Sequence, residues 1–390
     1  MSILQRVRFI KSFLAKPHFI ATVSFVLTVL GFGCVTSPSA SNAAANDYNI
    51  ALLGDLHYDA PPVERFHDPA NPGPYKRNVA MWEEEMPAML KASGTLATNN
   101  TAFALQLGDL IDGTFRGYEA HTQMLAEATA VLEKAYPGLP VISVCGNHDY
   151  FGPAPAAFID KARKAYNDHM LPWLARQVAP LMTNALTSTT FGFRHGPDLW
   201  IFINYNEGDA TVPIVEKLLD DNPDVRYTFV ALHGPVLPMD LFKYRWFYLG
   251  EEKQNALRRK IRARLAQRNA IVLAGHVHSL EYKEWRGDGG SITEMVVTSV
   301  SRNGSNKPKP AIPRVVSETP DDYGAWVKDV PKSPYNNQFD ALYEEYRPGL
   351  KSRYAAWAFG HYVLRVSDSG VILDYYGRDA LEPTKSFKLR

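Results

Sequence analysis

Five short apolar runs of this chain end in the same way, with glycine beside aspartate, asparagine or histidine. They are "YNIALLGDLH" (48–57), "FALQLGDL" (103–110), "LPVISVCGNHDY" (139–150), "RYTFVALHGP" (226–235) and "NAIVLAGHVHS" (269–279). Each is short, β-rich and too apolar to lie on a surface, which is the signature of a strand buried on both faces. Helical patterns separate the first three: "NVAMWEEEMPAMLKASGTLA", interrupted at Pro87, then "YEAHTQMLAEATAVLEKAY", with a mostly helical stretch from the third run to about Trp173. This βαβ alternation predicts a largely parallel sheet. The second half has more antiparallel character, with hairpins expected in "TTFGFRHGPDLWIFINYN" and in "HYVLRVSDSGVILDYYG", the latter turning at Asp368-Ser369-Gly370, and a further strand in "ITEMVVTSVSRNG". The economical arrangement is an α/β fold, a two-sheet sandwich flanked by helices.

Ligands of open α/β sheets bind in the crevice outside the strand carboxyl ends. Asp55 and His57 end the first run, and Asp109 the second. Asn147, His148 and Asp149 end the third, His233 the fourth, and His276 and His278 the fifth. Taken singly, most of these are ordinary loop residues. Taken together, they are five independent segments aiming ligand-type side chains at one edge. The spacing of two between His276 and His278 directs both side chains to the same side.

The mixture of imidazole and carboxylate suits manganese, iron or zinc, whereas calcium and magnesium prefer oxygen alone. There are too many donors for one four-coordinate ion, and one expected-buried cysteine does not make a structural zinc site. Two divalent ions sharing a carboxylate would use the set, and such a pair clamps the attacking and leaving oxygens of an in-line displacement at phosphorus.

In this order, "GDLHYD", "LGDLIDG", "CGNHDY", "ALHGP" and "AGHVHS", spanning residues 54 to 279, resemble the calcineurin-like metallophosphoesterases. The resemblance implies a metallophosphoesterase-like four-layer fold. It implies that Asp55, His57 and His278 hold one metal, that Asn147, His233 and His276 hold a second, and that Asp109 bridges them. A water acidified by both ions would attack phosphorus. His148 would act on the phosphoryl group or leaving oxygen without binding metal, with Asp149 orienting its imidazole. The related purple acid phosphatases carry a tyrosine three residues after the bridging aspartate. Here that residue is Asp112, a form closer to the bacterial phosphodiesterase-like branch.

Residues 1–45 differ in kind. Arg6, Arg8, Lys11 and Lys16 precede the apolar "FIATVSFVLTVLGFGCV" and the small-residue stretch ending Ala43-Ala44-Ala45. The layout predicts a signal peptide, with an uncleaved N-terminal anchor as the alternative and lipid attachment at Cys34 as a third outcome. Cleavage after Ala45 leaves Cys145 alone, hence no internal disulfide, and 38 basic against 41 acidic residues. That balance argues against a nucleic-acid binder. Residues 46–390 then form one exported domain, periplasmic or secreted, with 303–352 an ordered insertion near the site. The membrane enters only through a retained or lipidated N-terminus.

In "GEEKQNALRRKIRARLAQRN" an apolar stripe of Leu257, Ile261 and Leu265 leaves the arginines on a solvated face. The expected activity is hydrolysis of a small phosphate ester, a nucleotide among the candidates, with phosphodiesters favoured over monoesters. A catalytically inactive scaffold is the alternative. After His233 the sequence offers Phe242, Tyr244, Trp246, Phe247 and Tyr248, which suit helix packing more than stacking on a substrate, and at the same edge Arg302 or Asn303 for a phosphate oxygen.

Overall fold

The computed structural model describes residues 46–59, 73–113, 117–150, 156–238, 248–302, 307–322 and 336–390. The expected signal segment (1–45), the aromatics 242–247 and Asn303 lie outside these residues. Three parallel strands open the fold: β1 (Tyr48–Leu53), β2 (Thr101–Gln106) and β3 (Val141–Ser143). The crossovers are α1 (Gly73–Glu84) with α2 (Met86–Leu96), and then α3 (Tyr118–Ala135). The break between α1 and α2 falls at Glu85, and Pro87 sits in the first turn of α2, where no N–H partner is lost. After β3 come the single turn α4 (Asn147–Tyr150) and the long α5 (Ala156–Val178).

The second half builds its own sheet. Hairpin β4 (Phe191–His195) and β5 (Asp198–Ile203) is followed by α6 (Val212–Asp221), β6 (Thr228–Leu232), α7 (Asn255–Gln267) and β7 (Ile271–Ala274). Then come β8 (Leu280–Gly287), β9 (Gly290–Val296), β10 (Arg314–Ser317), α8 (Asn336–Tyr346), β11 (Leu350–Trp357), β12 (Gly360–Ser367), β13 (Gly370–Gly377) and β14 (Lys385–Lys388). One sheet has the order β14-β13-β12-β1-β2-β3, the other β10-β11-β8-β9-β7-β6-β5-β4. Both are mixed, with parallel stretches at β1-β2-β3, which ends the first sheet, and at β5-β6-β7-β9. Within the expected insertion, β10 and the start of β11 are strands of the second sheet.

The strands of the second sheet divide their side chains by parity. Trp200, Phe202, Phe229, Ala231, Ile271 and Leu273 face the first sheet, where Trp200 stacks on Phe229 and meets Phe103 edge-on. Leu199, Ile201, Ile203, Val230, Leu232, Val272 and Ala274 face α6 and α7. Helices α2 and α5 cover the first sheet. The result is helices, sheet, sheet, helices, as expected, and burying both faces is why these runs read as unbroken apolar stretches. Among the described residues, no helix is long and apolar enough to cross a membrane.

The pairing register fixes where the strands stop. Leu53 lies beside Gln106 and Gln106 beside Ser143, while Ile203 lies beside Leu232 and Ala231 beside Leu273. The loops that follow therefore leave the sandwich at one edge.

Candidate metal centre

Those loops are stitched together before any ligand chemistry begins. The buried Gln106 side chain donates to the carbonyls of Gly54 (3.1 Å) and Gly108 (2.6 Å) and accepts from Gly108 N (3.1 Å) and Ser143 Oγ (2.5 Å). The loop after β1 also donates from Leu56 N and His57 N to the Asp109 carbonyl, and Gly275 N donates to the carbonyl of His233. The loops touch backbone to backbone. A Cβ on Gly146 would lie 2.0 Å from Asp109 N, and one on Gly113 would lie 1.9 Å from the carbonyl oxygen of His148. This explains the glycines beside the polar residues.

The backbone is bent in an unusual way at these positions. His57, Asp109, His276 and His278 all have positive φ (44°, 51°, 76° and 55°), half of the eight non-glycine residues with that conformation among the described residues. Each such residue costs about 1–3 kcal/mol and persists only where its surroundings hold it. This corrects the strand reading of the two histidines: β7 stops at Ala274, and both lie in the following loop. They do not share a face. His276 Nδ1 lies 3.0 Å from His233 Nε2, whereas His278 Nε2 lies 3.0 Å from His57 Nε2.

Besides a group of His57, Asp112 and His148, two groups of donors share a carboxylate. Ligand atoms of Asp55, His57, Asp109 and His278 lie within 4.8 Å of one another, and so do those of Asp109, His233 and His276. Asp109 belongs to both. Its Oδ2 is 3.1 Å from His233 Nε2 and 3.7 Å from His57 Nε2, and its Oδ1 accepts from His148 N at 2.8 Å. Asp55 accepts from His276 N through both oxygens (3.0 and 3.2 Å) and lies 3.7 Å from His278 Nε2. Asn147 is brought to the second group, its Oδ1 accepting from the Tyr205 hydroxyl at 3.2 Å beside the rings of His233 and His276. Ligands about 2.1 Å from a common ion and at right angles sit about 3 Å apart, the spacing of both imidazole pairs. The donor set fits divalent cations.

Residues 48–280 match the calcineurin-like phosphoesterases. The chain belongs to this family. Comparison with curated proteins finds no match. Among solved structures, PhoD is 12% identical, with a TM-score of 0.52, 89% of this chain and 70% of that one covered, a likeness that shows the fold alone. A dimetal phosphatase from Danio rerio (10% identity, 88% and 98% covered, TM-score 0.47) is more distant in fold. So is GAP50, the anchor in the inner membrane complex of Plasmodium (12%, 88% and 89%, 0.45). The latter two carry no argument about this chain.

The charges of this phosphoesterase centre balance one another. Burial pushes the Asp55 carboxyl up to about 6, while burial holds the His57 imidazole down at about 4. Burial opposes ionisation of Asp109 as well, but His233, His148 and His57 hold it well below the usual carboxylate range. His233 is its counterpart: burial disfavours its charge, yet Asp109 and Asp55 raise it to about 9.

The structure changes the expected role of Asp149. Its carboxylate accepts from Gly146 N (2.8 Å) and Ile111 N (3.1 Å), and its carbonyl meets His121 Nε2, so it braces the loop. The His148 ring is held elsewhere, with Nδ1 2.5 Å from the carbonyl oxygen of Asp112 and 3.9 Å from its carboxylate. That carboxylate accepts from Asn78 Nδ2 (2.5 Å) and lies 3.7 Å from His57 Nδ1. Asp112 therefore stands behind two of the imidazoles, a function its loop position gave no sign of. Arg302, one of the two residues expected at a phosphate oxygen, pairs with Glu84 and Glu85 at the α1–α2 break. Tyr248 is buried, its hydroxyl 2.5 Å from Thr211 Oγ1, so the packing role holds for it.

Proposed function

We propose that this phosphoesterase is an exported hydrolase of phosphoric esters that works with two divalent cations and prefers diesters. The observation that carries the reading is Asp109, one buried carboxylate common to two donor groups. Asp55, His57 and His278 would hold one cation, Asn147, His233 and His276 the other, with Asp109 between them. When bound, the cations supply Lewis acidity to water and to the phosphoryl oxygens.

The protein's own residues do the rest. The His148 amide fixes Asp109, and the Asp112 carbonyl fixes His148 through Nδ1, leaving Nε2 to exchange a proton with the leaving oxygen. His148 keeps part of its side chain in solvent, as a group meeting substrate must. The diester preference rests on Asp112 in "LGDLIDG", the form closer to the bacterial phosphodiesterase-like branch. Export rests on the basic and apolar pattern of residues 6–35.

Metal analysis of protein purified without chelator, followed by rates on p-nitrophenyl phosphate, bis-p-nitrophenyl phosphate and cyclic nucleotides, tests the reading. Two ions per chain and faster diester turnover are expected. A metal-free protein of full activity overturns it, and faster monoester turnover overturns the diester preference. N-terminal sequencing of the protein from the native host tests export.

A further inference from the structure

The five ligand-bearing loops follow β1, β2, β3, β6 and β7. A sixth segment leaves the same edge. β5 pairs with β6 in parallel, Ile203 beside Leu232, so the residues after Ile203 run alongside His233. They are Asn204, Tyr205 and Asn206, entering a 3-10 segment over Tyr205–Thr211.

This segment is tied down on both sides. Buried Asn204 donates from its backbone to Thr190 Oγ1 and from Nδ2 to Thr189 Oγ1, both at 3.0 Å, and accepts from Asn206 N at 3.2 Å. Asn206 Nδ2 donates to the carbonyl of Gly146 at 2.9 Å, on the residue before Asn147. Tyr205 is thus held between two asparagines, one fixed to β4's approach and one to the Asn147 loop. Its ring lies 5.6 Å from that of His233 and 6.0 Å from that of His276, and its hydroxyl donates to Asn147 Oδ1. The ring also needs Gly234, where a Cβ would come within 3.0 Å of it.

We infer that Tyr205 is a positioning residue for the second cation, aiming the Asn147 amide oxygen and bracing the His233 and His276 imidazoles. The inference rests on the two-cation reading above. An amide oxygen has two lone pairs. The phenol takes one, which leaves the other in a fixed direction. Partners of this kind around a ligand are worth about 10- to 100-fold in metal affinity or activity. The effect should fall on one ion of the pair, because Tyr205 touches the Asn147, His233 and His276 group alone among the two donor groups described.

The test uses the full-length protein, stripped with EDTA and titrated with manganese(II) alone, read by calorimetry and by electron paramagnetic resonance, which separates a coupled pair from isolated ions. Tyr205→Phe keeps the ring and removes the hydroxyl. The expected result is two ions in the wild type, and in the variant one unchanged ion and one weakened at least about tenfold. The coupled signal should fade while the unfolding temperature of the EDTA-stripped protein stays put. Gly234→Ala, which displaces the ring, should weaken the same ion. Unchanged affinities in Tyr205→Phe overturn the inference. So does equal weakening of both ions, or a fall in the stripped protein's unfolding temperature matching the loss of binding, since either marks a general structural role. A wild type that binds fewer than two ions sinks the two-cation reading itself and the inference with it, and the wild-type titration alone identifies that case.

Discussion

Two of the places where this molecule buries charge neutralise it in opposite ways. At the α7–α8 corner, Arg262 lies between the rings of Trp285 and Tyr346 (5.0 and 4.7 Å) and is ion-paired with Asp288 at 2.6 Å and Glu345 at 2.5 Å. Arg259 meets Glu345, Lys260 meets Glu216, Arg264 meets Asp220, and Arg258 is buried with NH1 on the Leu249 carbonyl. The basic helix therefore keeps Arg259 and Lys260 on the solvated face that its charge run suggests, while Arg258 and Arg262 are buried. At the sheet edge, carboxylates are faced by imidazoles, whose charge depends on a proton. The helix corner closes its own account of charge within the chain, whereas the edge is arranged so that a cation from outside can complete it. Fixed guanidinium pairs make structure, and titratable pairs leave room for metal.

Four substitutions can break or sharpen this contrast. The largest effect is expected for Asp109→Ala, which should lower turnover of bis-p-nitrophenyl phosphate by at least about a thousandfold and remove much of the bound metal. It should also abolish any fall in unfolding temperature caused by EDTA in the wild type. Full turnover by this variant would dissolve the distinction between the regions. His148→Ala should lower turnover by about two to four decades while metal content stays whole, the scale of general acid–base catalysis. Loss of metal there would make His148 a ligand.

The corner should behave differently. Arg262→Met should cost about 2–3 kcal/mol in denaturant unfolding, because it strips charged partners from Glu345 and Asp288, and should leave metal content and the EDTA shift unchanged. Glu345→Gln should cost less, about 1 kcal/mol, and chiefly at neutral pH. Although burial opposes it, Arg259 and Arg262 hold the Glu345 carboxyl below its ordinary value. Its contribution is therefore present above the unfolded value near 4.5 and lost as pH falls through the lower folded value. Wild type and variant should converge in stability as pH drops below about 4.5, and a constant gap down to pH 3 would count against the ion pair.

Much of the fold was legible because its parallel strands are buried on both faces and advertise themselves as apolar runs, as "RYTFVALHGP" and "NAIVLAGHVHS" do. β8 was not. Its sequence LEYKEWRG carries four charges in eight residues, yet Glu281 and Lys283 are buried and paired with each other at 3.1 Å. Edge strands β10 and β14 are four residues each and too short for a period to show. At the site, residue type and order pointed to the right loops, since Gly-Asp and Gly-His closures recur. What periodicity could not show was the left-handed backbone, which sends His276 and His278 to different partners. Nor could it show contacts made across the edge, such as Asp112 behind His57 and His148, Gln106 between three loops, or Tyr205 on Asn147. Such partners become visible only when strands distant in sequence stop at the same line.

The four left-handed residues have a consequence for ion choice. Flexible side chains close around whichever cation binds most strongly, and their preference follows the general affinity order of the divalent metals. Donors whose main chain is already committed cannot close in this way. At about 1–3 kcal/mol apiece, the twist at His57, Asp109, His276 and His278 was settled during folding, before any ion arrives. Selection of a cation at such an edge would be by radius and bond direction, which would cost a poorly sized ion of high intrinsic affinity its advantage.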